Sequence, residues 1–133
     1  GVVRAGERDA RCFNAGFVEP YDGADDPEAW ARSSNVEIAD RLAGPLLLAH
    51  GEMDDQVHPA HTLRLADRLI EAEKKDFELL IVPGADHMFI DRIHYVRKRV
   101  WDFLVRELSG TTPPAYRPAP VTIDPEMLGE LFA

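Results

Sequence analysis

The sequence has a single cysteine, Cys12, so no internal disulfide can form, and a lone thiol does not fix the compartment. Long hydrophobic runs are missing. Apolar runs such as residues 45–49 and 79–82 are far shorter than the roughly 18 residues of a membrane span. Basic residues are scarce: 15 Lys and Arg stand against 24 Asp and Glu, a net charge of −9. Neutralising phosphates needs clustered cations, so nucleic acid is excluded as the expected partner. The densest basic stretch, residues 92–106, follows an amphipathic helical pattern and reads as its solvated face. The first residues show neither an initiator methionine nor a signal-peptide pattern, and the chain reads as one opened in the middle of a longer protein.

What is present suits one ordinary core. The 133 residues are 45% apolar, enough to bury a domain interior, and the 29% charged residues are interspersed rather than tract-like. Residues 1–5 read as a short strand. Residues 7–34 are polar, dotted with aromatics and rich in turn formers, with Asp22-Gly23 and Asp26-Pro27 among them. They predict an excursion with at most one short helix. A helical turn over 38–42 is closed by Gly44. The run Pro45-Leu46-Leu47-Leu48-Ala49, ended by His50-Gly51, predicts a buried parallel strand covered on both faces.

Pro59 suits the first position of a helix, and Leu63, Ala66, Leu69 and Ile70 recur at helical spacing to give it one apolar face. A second strand is predicted over 77–82, broken by Pro83-Gly84. A last helix is predicted over about 91–108, with Ile93, Val96, Val100, Phe103 and Leu104 on one stripe and Gly110 and Pro113-Pro114 as its stop. Strand, helix, strand, helix is the alternation of a parallel α/β sheet. The tail from Thr111 is Pro-rich up to Val121, then carries Met127, Leu128, Leu131 and Phe132 as a small helical apolar patch.

In open α/β sheets the working residues stand just beyond the C-terminal ends of the strands. Two polar groups occur there. His50-Gly51-Glu52-Met53-Asp54-Asp55-Gln56-Val57 follows the first apolar strand, and Gly84-Ala85-Asp86-His87-Met88-Phe89 follows the second. An acid and then a histidine, each on a post-strand loop, is the second half of the serine, acid, histidine order of α/β-hydrolases. A serine hydroxyl is a weak nucleophile and needs a base of near-neutral pKa, which is histidine. The carboxylate holds the imidazole in the correct tautomer and stabilises the imidazolium. In this reading Asp54 orients and His87 carries the proton. Taken singly, each residue reads as an ordinary solvated or structural side chain. It is the ordered pair that points to catalysis.

These two loops resemble those of the prolyl oligopeptidase family, in its dipeptidyl peptidase IV branch. The acid loop is similar to the branch's pattern of HG, two variable residues, DDNV and often His, which places the triad acid at Asp54. Residues 84–89 are similar to its G-x-x-H-G-F loop, which places the base at His87, with Met88 standing where the family has Gly. Lys75-Asp76-Phe77-Glu78-Leu79-Leu80 and Arg99-Val100-Trp101-Asp102-Phe103 also resemble bacterial members. The resemblance spans residues 1 to about 117. It implies the C-terminal portion of an α/β-hydrolase fold, with about three parallel strands and flanking helices over residues 1–110, and a tail over 111–133. It implies a peptide as substrate, no cofactor, and a substrate pocket that takes in Phe13, Phe17, Gln56 and Val57, with Tyr21 one turn on. Without the resemblance, Phe13, Phe17 and Tyr21 read as core packing.

The nucleophile is the missing member. No G-x-S-x-G occurs, and of Ser33, Ser34 and Ser109 none has the flanking glycines. Ser33-Ser34 reads as a helix N-cap. The intact protein is therefore expected to be a serine peptidase whose serine lies outside these residues, and this segment alone is expected to be inactive. The other reading is a non-catalytic interaction domain that kept a hydrolase-like fold. His58 and His61, with His50 nearby, lack the partners of a zinc site, so no metal is expected. A strand left at a sheet edge and an apolar tail predict a homo-oligomer, joined through residues 1–5 or the tail. The compartment is left open between periplasmic or secreted and cytoplasmic.

Overall fold

The computed structural model describes residues 1–6, 8 and 26–120. The elements run β1 (Val2–Arg4), α1 (Pro27–Ser33), a 3-10 turn (Ala39–Arg41), β2 (Leu46–Gly51), α2 (Ala60–Glu71), β3 (Phe77–Val82), a second 3-10 turn (Ile90–Arg92) and α3 (Ile93–Ser109). The strands form one three-stranded sheet in the order β1-β2-β3. All pairing is parallel, with Val3 opposite Leu48, and Leu48 opposite Leu79. This is the expected α/β arrangement. The chain divides into two compact units between His87 and Met88.

β2 is the middle strand and its burial shows it. Leu47, Leu48, Ala49 and His50 are all fully buried, so both faces of the strand are covered. The strand runs through His50 and Gly51, two residues past the end of the apolar run, so His50 lies in the sheet rather than on the following loop. Side chains alternate with period two. Leu46, Leu48 and His50 therefore share one face. That face packs on α2 and the 36–42 segment, where Val36, Ala39, Leu48, Leu65 and Leu69 form the core, joined by Val3, Leu42, Leu46 and Phe77. Each fully buried leucine there contributes about 1.5–3 kcal/mol. The sheet's other face carries Leu47, Ala49, Leu80 and Val82, also buried.

α2 begins one residue after Pro59, and its buried stripe is His61, Thr62, Leu65, Ala66 and Leu69. This corrects the expected face. Leu63 and Ile70 are exposed, at 48% and 64%. At 100° per residue these two point together about a quarter-turn away from the Thr62–Leu65–Ala66–Leu69 stripe. The polar Thr62 and His61 occupy buried positions because they have hydrogen-bonding work there.

α1 is a short helix within the stretch expected to hold at most one, most of which lies outside the described residues. Asp26 caps it, its Oδ1 accepting from the N–H groups of Glu28 at 3.1 Å and Ala29 at 3.0 Å, with Pro27 in the first turn. Ser33 and Ser34 end this helix rather than starting one: the Ser33 hydroxyl donates to the Trp30 carbonyl, and the buried Ser34 hydroxyl to that of Arg8. In α3, Val96 and Phe103 are buried while Leu104, expected on the same stripe, is 36% exposed. Gly110 closes the helix at φ +63°, a left-handed conformation that glycine adopts without strain. The apolar tail residues Met127, Leu128, Leu131 and Phe132 lie outside the described residues. Among the described residues, no helix is long and apolar enough to cross a membrane.

Candidate active site

Parallel pairing of β2 with β3 puts Gly51 opposite Val82, so the loops after the two strands leave the sheet side by side. Backbone hydrogen bonds then stitch them together. The Glu52 N–H donates to the Val82 carbonyl at 3.0 Å and the Met53 N–H to that of Ala85 at 2.9 Å. Glu52 reaches back with its side chain, its Oε2 accepting the Gly84 N–H at 2.9 Å. Gly84 turns at φ +68°. At Gly51 the end of β2 lies close against the loop after β3. A Cβ there would lie 2.9 Å from the Ala85 carbonyl carbon, and closer still to the carbonyl oxygens of Ala85 and Asp86. Only a residue without a side chain lets the loops meet this tightly.

The stitching brings Asp54 and His87 together. Asp54 Oδ2 is 2.9 Å from His87 Nδ1. The Asp54 side chain is sealed from solvent, while that of His87 is 26% exposed. Asp54 Oδ1 accepts the N–H groups of Gln56 at 3.0 Å and Val57 at 2.8 Å. Burial alone would raise the carboxyl pKa. The Val57 N–H, the His87 ring and the Gln56 N–H outweigh it, and the pKa is held below its ordinary value. An ionised carboxylate can only accept, so Nδ1 of His87 carries a hydrogen toward it. Nε2 is then the nitrogen left to take up and release a proton.

A second histidine stands behind the acid. His50 Nε2 is 2.7 Å from the Val57 carbonyl and 3.1 Å from Asp54 Oδ2, and Nδ1 is 2.7 Å from the Thr62 hydroxyl. Neither His50 nor Thr62 was singled out as a site residue from the sequence. The available signal was the period-two alternation from Leu46 and Leu48 to His50, which aims the ring at α2.

The other expected site residues are distributed as follows. Val57 is buried beside the acid and engages it through its backbone; Gln56 is exposed and likewise gives Asp54 its N–H. Phe13, Phe17 and Tyr21 lie outside the described residues. Met88 is 56% exposed. His58 accepts the Ala60 N–H at the start of α2, and His61 accepts the Arg8 N–H, so each is held in local structure. Among the described residues no group of three His, Cys, Asp or Glu side chains is placed to hold a metal ion.

Residues 4–111, both loops included, match the model of the prolyl oligopeptidase family. The chain belongs to that family. Its resemblance to relatives of the family extends over most of its length. It is 33% identical over 116 residues to a probable dipeptidyl-aminopeptidase B of Coccidioides posadasii, covering 83% of this chain and 12% of that protein. It is 39% identical over 117 residues to a probable dipeptidyl-aminopeptidase B of Pyrenophora tritici-repentis, covering 83% of this chain and 13% of that protein. The fold matches that of a dipeptidyl peptidase 4 from Porphyromonas gingivalis with a TM-score of 0.76 at 24% identity, over 80% of this chain and 16% of that one. A puromycin-hydrolyzing peptidase from Mycobacterium tuberculosis matches with a TM-score of 0.68 at 23% identity, over 92% of this chain and 20% of that one. The three parallel strands and their helices are thus part of the α/β-hydrolase fold of this family. The chain spans 12% of the length of the first of these curated relatives.

Proposed function

We propose that this chain supplies the acid and the base of a serine peptidase triad, Asp54 and His87, to a protein whose nucleophilic serine lies outside these residues. The observation that carries the reading is the 2.9 Å contact between a water-sealed Asp54 carboxylate and Nδ1 of a partly exposed His87. In the reaction, the serine Oγ attacks the scissile carbonyl carbon as His87 Nε2 takes its proton. The imidazolium forms next to the Asp54 carboxylate, which stabilises it. Collapse of the tetrahedral intermediate breaks the C–N bond, and Nε2 returns the proton to the departing amine. Water then attacks the acyl carbon as Nε2 takes its proton, and collapse of the second intermediate breaks the bond to the serine as Nε2 returns that proton to Oγ. No cofactor takes part in this chemistry.

The relatives' names, dipeptidyl-aminopeptidase and dipeptidyl peptidase, support release of N-terminal dipeptides as the activity of the whole protein. Phe13 and Phe17 are the proposed aromatic contacts to the residue before the cleaved bond, with Val57 in the same wall. Gln56, exposed on the acid loop, is the proposed amide partner of a substrate backbone carbonyl.

The test is hydrolysis of chromogenic dipeptide substrates by the full-length protein. Asp54→Ala and His87→Ala are each expected to lower kcat by at least about 10³-fold, because triad members act as a unit. Near-normal turnover in either variant would sink the assignment, whereas a parent protein that turned over no peptide substrate would favour the interaction-domain reading.

A further inference from the structure

The buried His50 has more partners than core packing requires. It is fully buried in the middle strand, where an imidazole costs stability unless both nitrogens find partners. Both do. The Val57 carbonyl can only accept, so at 2.7 Å it requires a hydrogen on Nε2. That same nitrogen lies 3.1 Å from Asp54 Oδ2. In the neutral ring, Nδ1 accepts the Thr62 hydroxyl at 2.7 Å.

We propose that His50 is a positioning residue for the triad: its Nε2–H, shared between Asp54 Oδ2 and the Val57 carbonyl, holds the acid loop closed and fixes which carboxylate oxygen faces His87. This rests on the triad reading given above.

The arrangement follows from the chain. Residue 50 shares a strand face with Leu46 and Leu48, so it points at α2, where Thr62 lies on the buried stripe. The ring is thereby tied to the strand through its own backbone and to the helix through Thr62. Asp54 sits on a loop, held to the end of the strand by its own N–H on the Gly51 carbonyl at 3.3 Å, and has no tie of that kind to the helix in the hydrogen bonds described. Its carboxylate has room for about four hydrogen bonds. It takes two at Oδ1, from the Gln56 and Val57 N–H groups, and one at Oδ2 from His87, with His50 Nε2 standing 3.1 Å from that same oxygen. Turning the carboxylate about its last torsion would break all of them at once. Without His50, Oδ2 keeps only the moving partner, His87, and the Val57 carbonyl loses its donor. Val57 also gives its N–H to Oδ1, so the two ends of the loop would loosen together. A displacement of about 1 Å at a catalytic group can cost about 10²-fold in rate.

The experiment is steady-state kinetics of the full-length protein with a chromogenic dipeptide substrate, with competent sites counted by an organophosphonate that labels the serine. His50→Phe fills the space without a donor and is expected to lower kcat per competent site about 10- to 100-fold, with KM changed less than about threefold. His50→Gln places an amide N–H near the position of Nε2 and is expected to recover kcat to within about fivefold of the parent, although it cannot accept from Thr62. Thr62→Val removes the hydroxyl at constant shape and is expected to fall between the two. A residue that only packs the core would lose thermal stability in His50→Phe while each competent site turned over at the parent rate. That result, a parent-like kcat in Thr62→Val, or a His50→Gln no faster than His50→Phe overturns the proposal. If His50→Phe does not fold, the Gln and Thr62 variants decide. Asp54→Ala and His87→Ala are measured alongside. If these two stay active, the triad reading itself falls; if they are inactive while kcat is unmoved in the His50 and Thr62 variants, only the role of His50 is lost.

Discussion

Asp54 Oδ2 and His87 Nδ1 stand 2.9 Å apart, although 33 positions separate the two residues in the chain. The contact is made by the sheet, because β2 and β3 are hydrogen-bonded neighbours whose C-terminal ends are level at Gly51 and Val82. Replacing the acid by its amide tests the chemistry rather than the packing. In Asp54→Asn the carbonyl oxygen can still accept from Gln56 and Val57, which turns the NH2 toward His87. Nδ1 must then accept, the ring hydrogen moves to Nε2, and the base can no longer take the serine proton. We expect kcat to fall by about 10³- to 10⁴-fold, with little change in KM, in steady-state assays of the full-length protein.

Gly51 is the position where one added carbon should be most costly. In Gly51→Ala the new methyl would press on the backbone of Ala85 and Asp86, just before the base. Those neighbours are main-chain atoms and cannot swing aside as a long side chain would. We expect a loss of about 1–3 kcal/mol in stability from overpacking. We also expect kcat to drop by about 10²-fold as His87 is displaced from Asp54. Thermal unfolding and kinetics on the same preparation measure both. A variant with parent stability and parent kcat would show that the loops can separate freely.

The sheet was legible in the sequence because its signals are local. Two continuous apolar runs, each ended by a glycine-containing turn, fix β2 and β3, and the order of acid and base after them points to the site. The rest depended on pairing between distant residues. Hydrophobicity ends the first strand at Ala49, yet the backbone continues through His50, whose burial is made tolerable by Thr62 and Val57. The same partnership misleads the reading of α2. Its buried stripe includes Thr62 and His61, while Leu63 and Ile70 face water, so choosing leucines over polar residues rotates the helix face. Ser33 and Ser34 show the same limit at a helix end: serine caps either terminus, and the chain itself does not say which.

The end of α2 offers a stabilising change away from the site. The Lys74 N–H bonds the Leu69 carbonyl and the Glu73 N–H that of Ile70, the paired bonds of a Schellman cap. Such a cap needs a left-handed residue, and Glu73 supplies it at φ +54°. A side chain in that conformation costs roughly 1 kcal/mol, which glycine avoids. Glu73 is exposed, so little packing is lost with its side chain. Glu73→Gly is therefore expected to stabilise the protein by about 0.5–1 kcal/mol with kcat unchanged. A lower unfolding temperature would mean that the αL strain is not what limits this turn.

Acid should weaken the protein in part through Asp54. Its folded-state pKa is depressed below the ordinary aspartate value, because the hydrogen bonds from Val57, His87 and Gln56 favour the ionised form by more than burial opposes it. A depressed carboxyl pKa means the unfolded chain binds the proton more readily than the folded one. The stabilisation is therefore fully present above about pH 4, near the unfolded value, and is lost as pH falls through the folded value. Asn carries no titratable proton, so the effect of Asp54→Asn at residue 54 itself does not vary with pH. The stability advantage of the parent over Asp54→Asn is expected to shrink progressively as pH falls below about 4. Urea unfolding midpoints of the two proteins across that range measure it. An advantage that stayed level down to pH 3, or grew, would show that the carboxylate is not held in its ionised form by the loop.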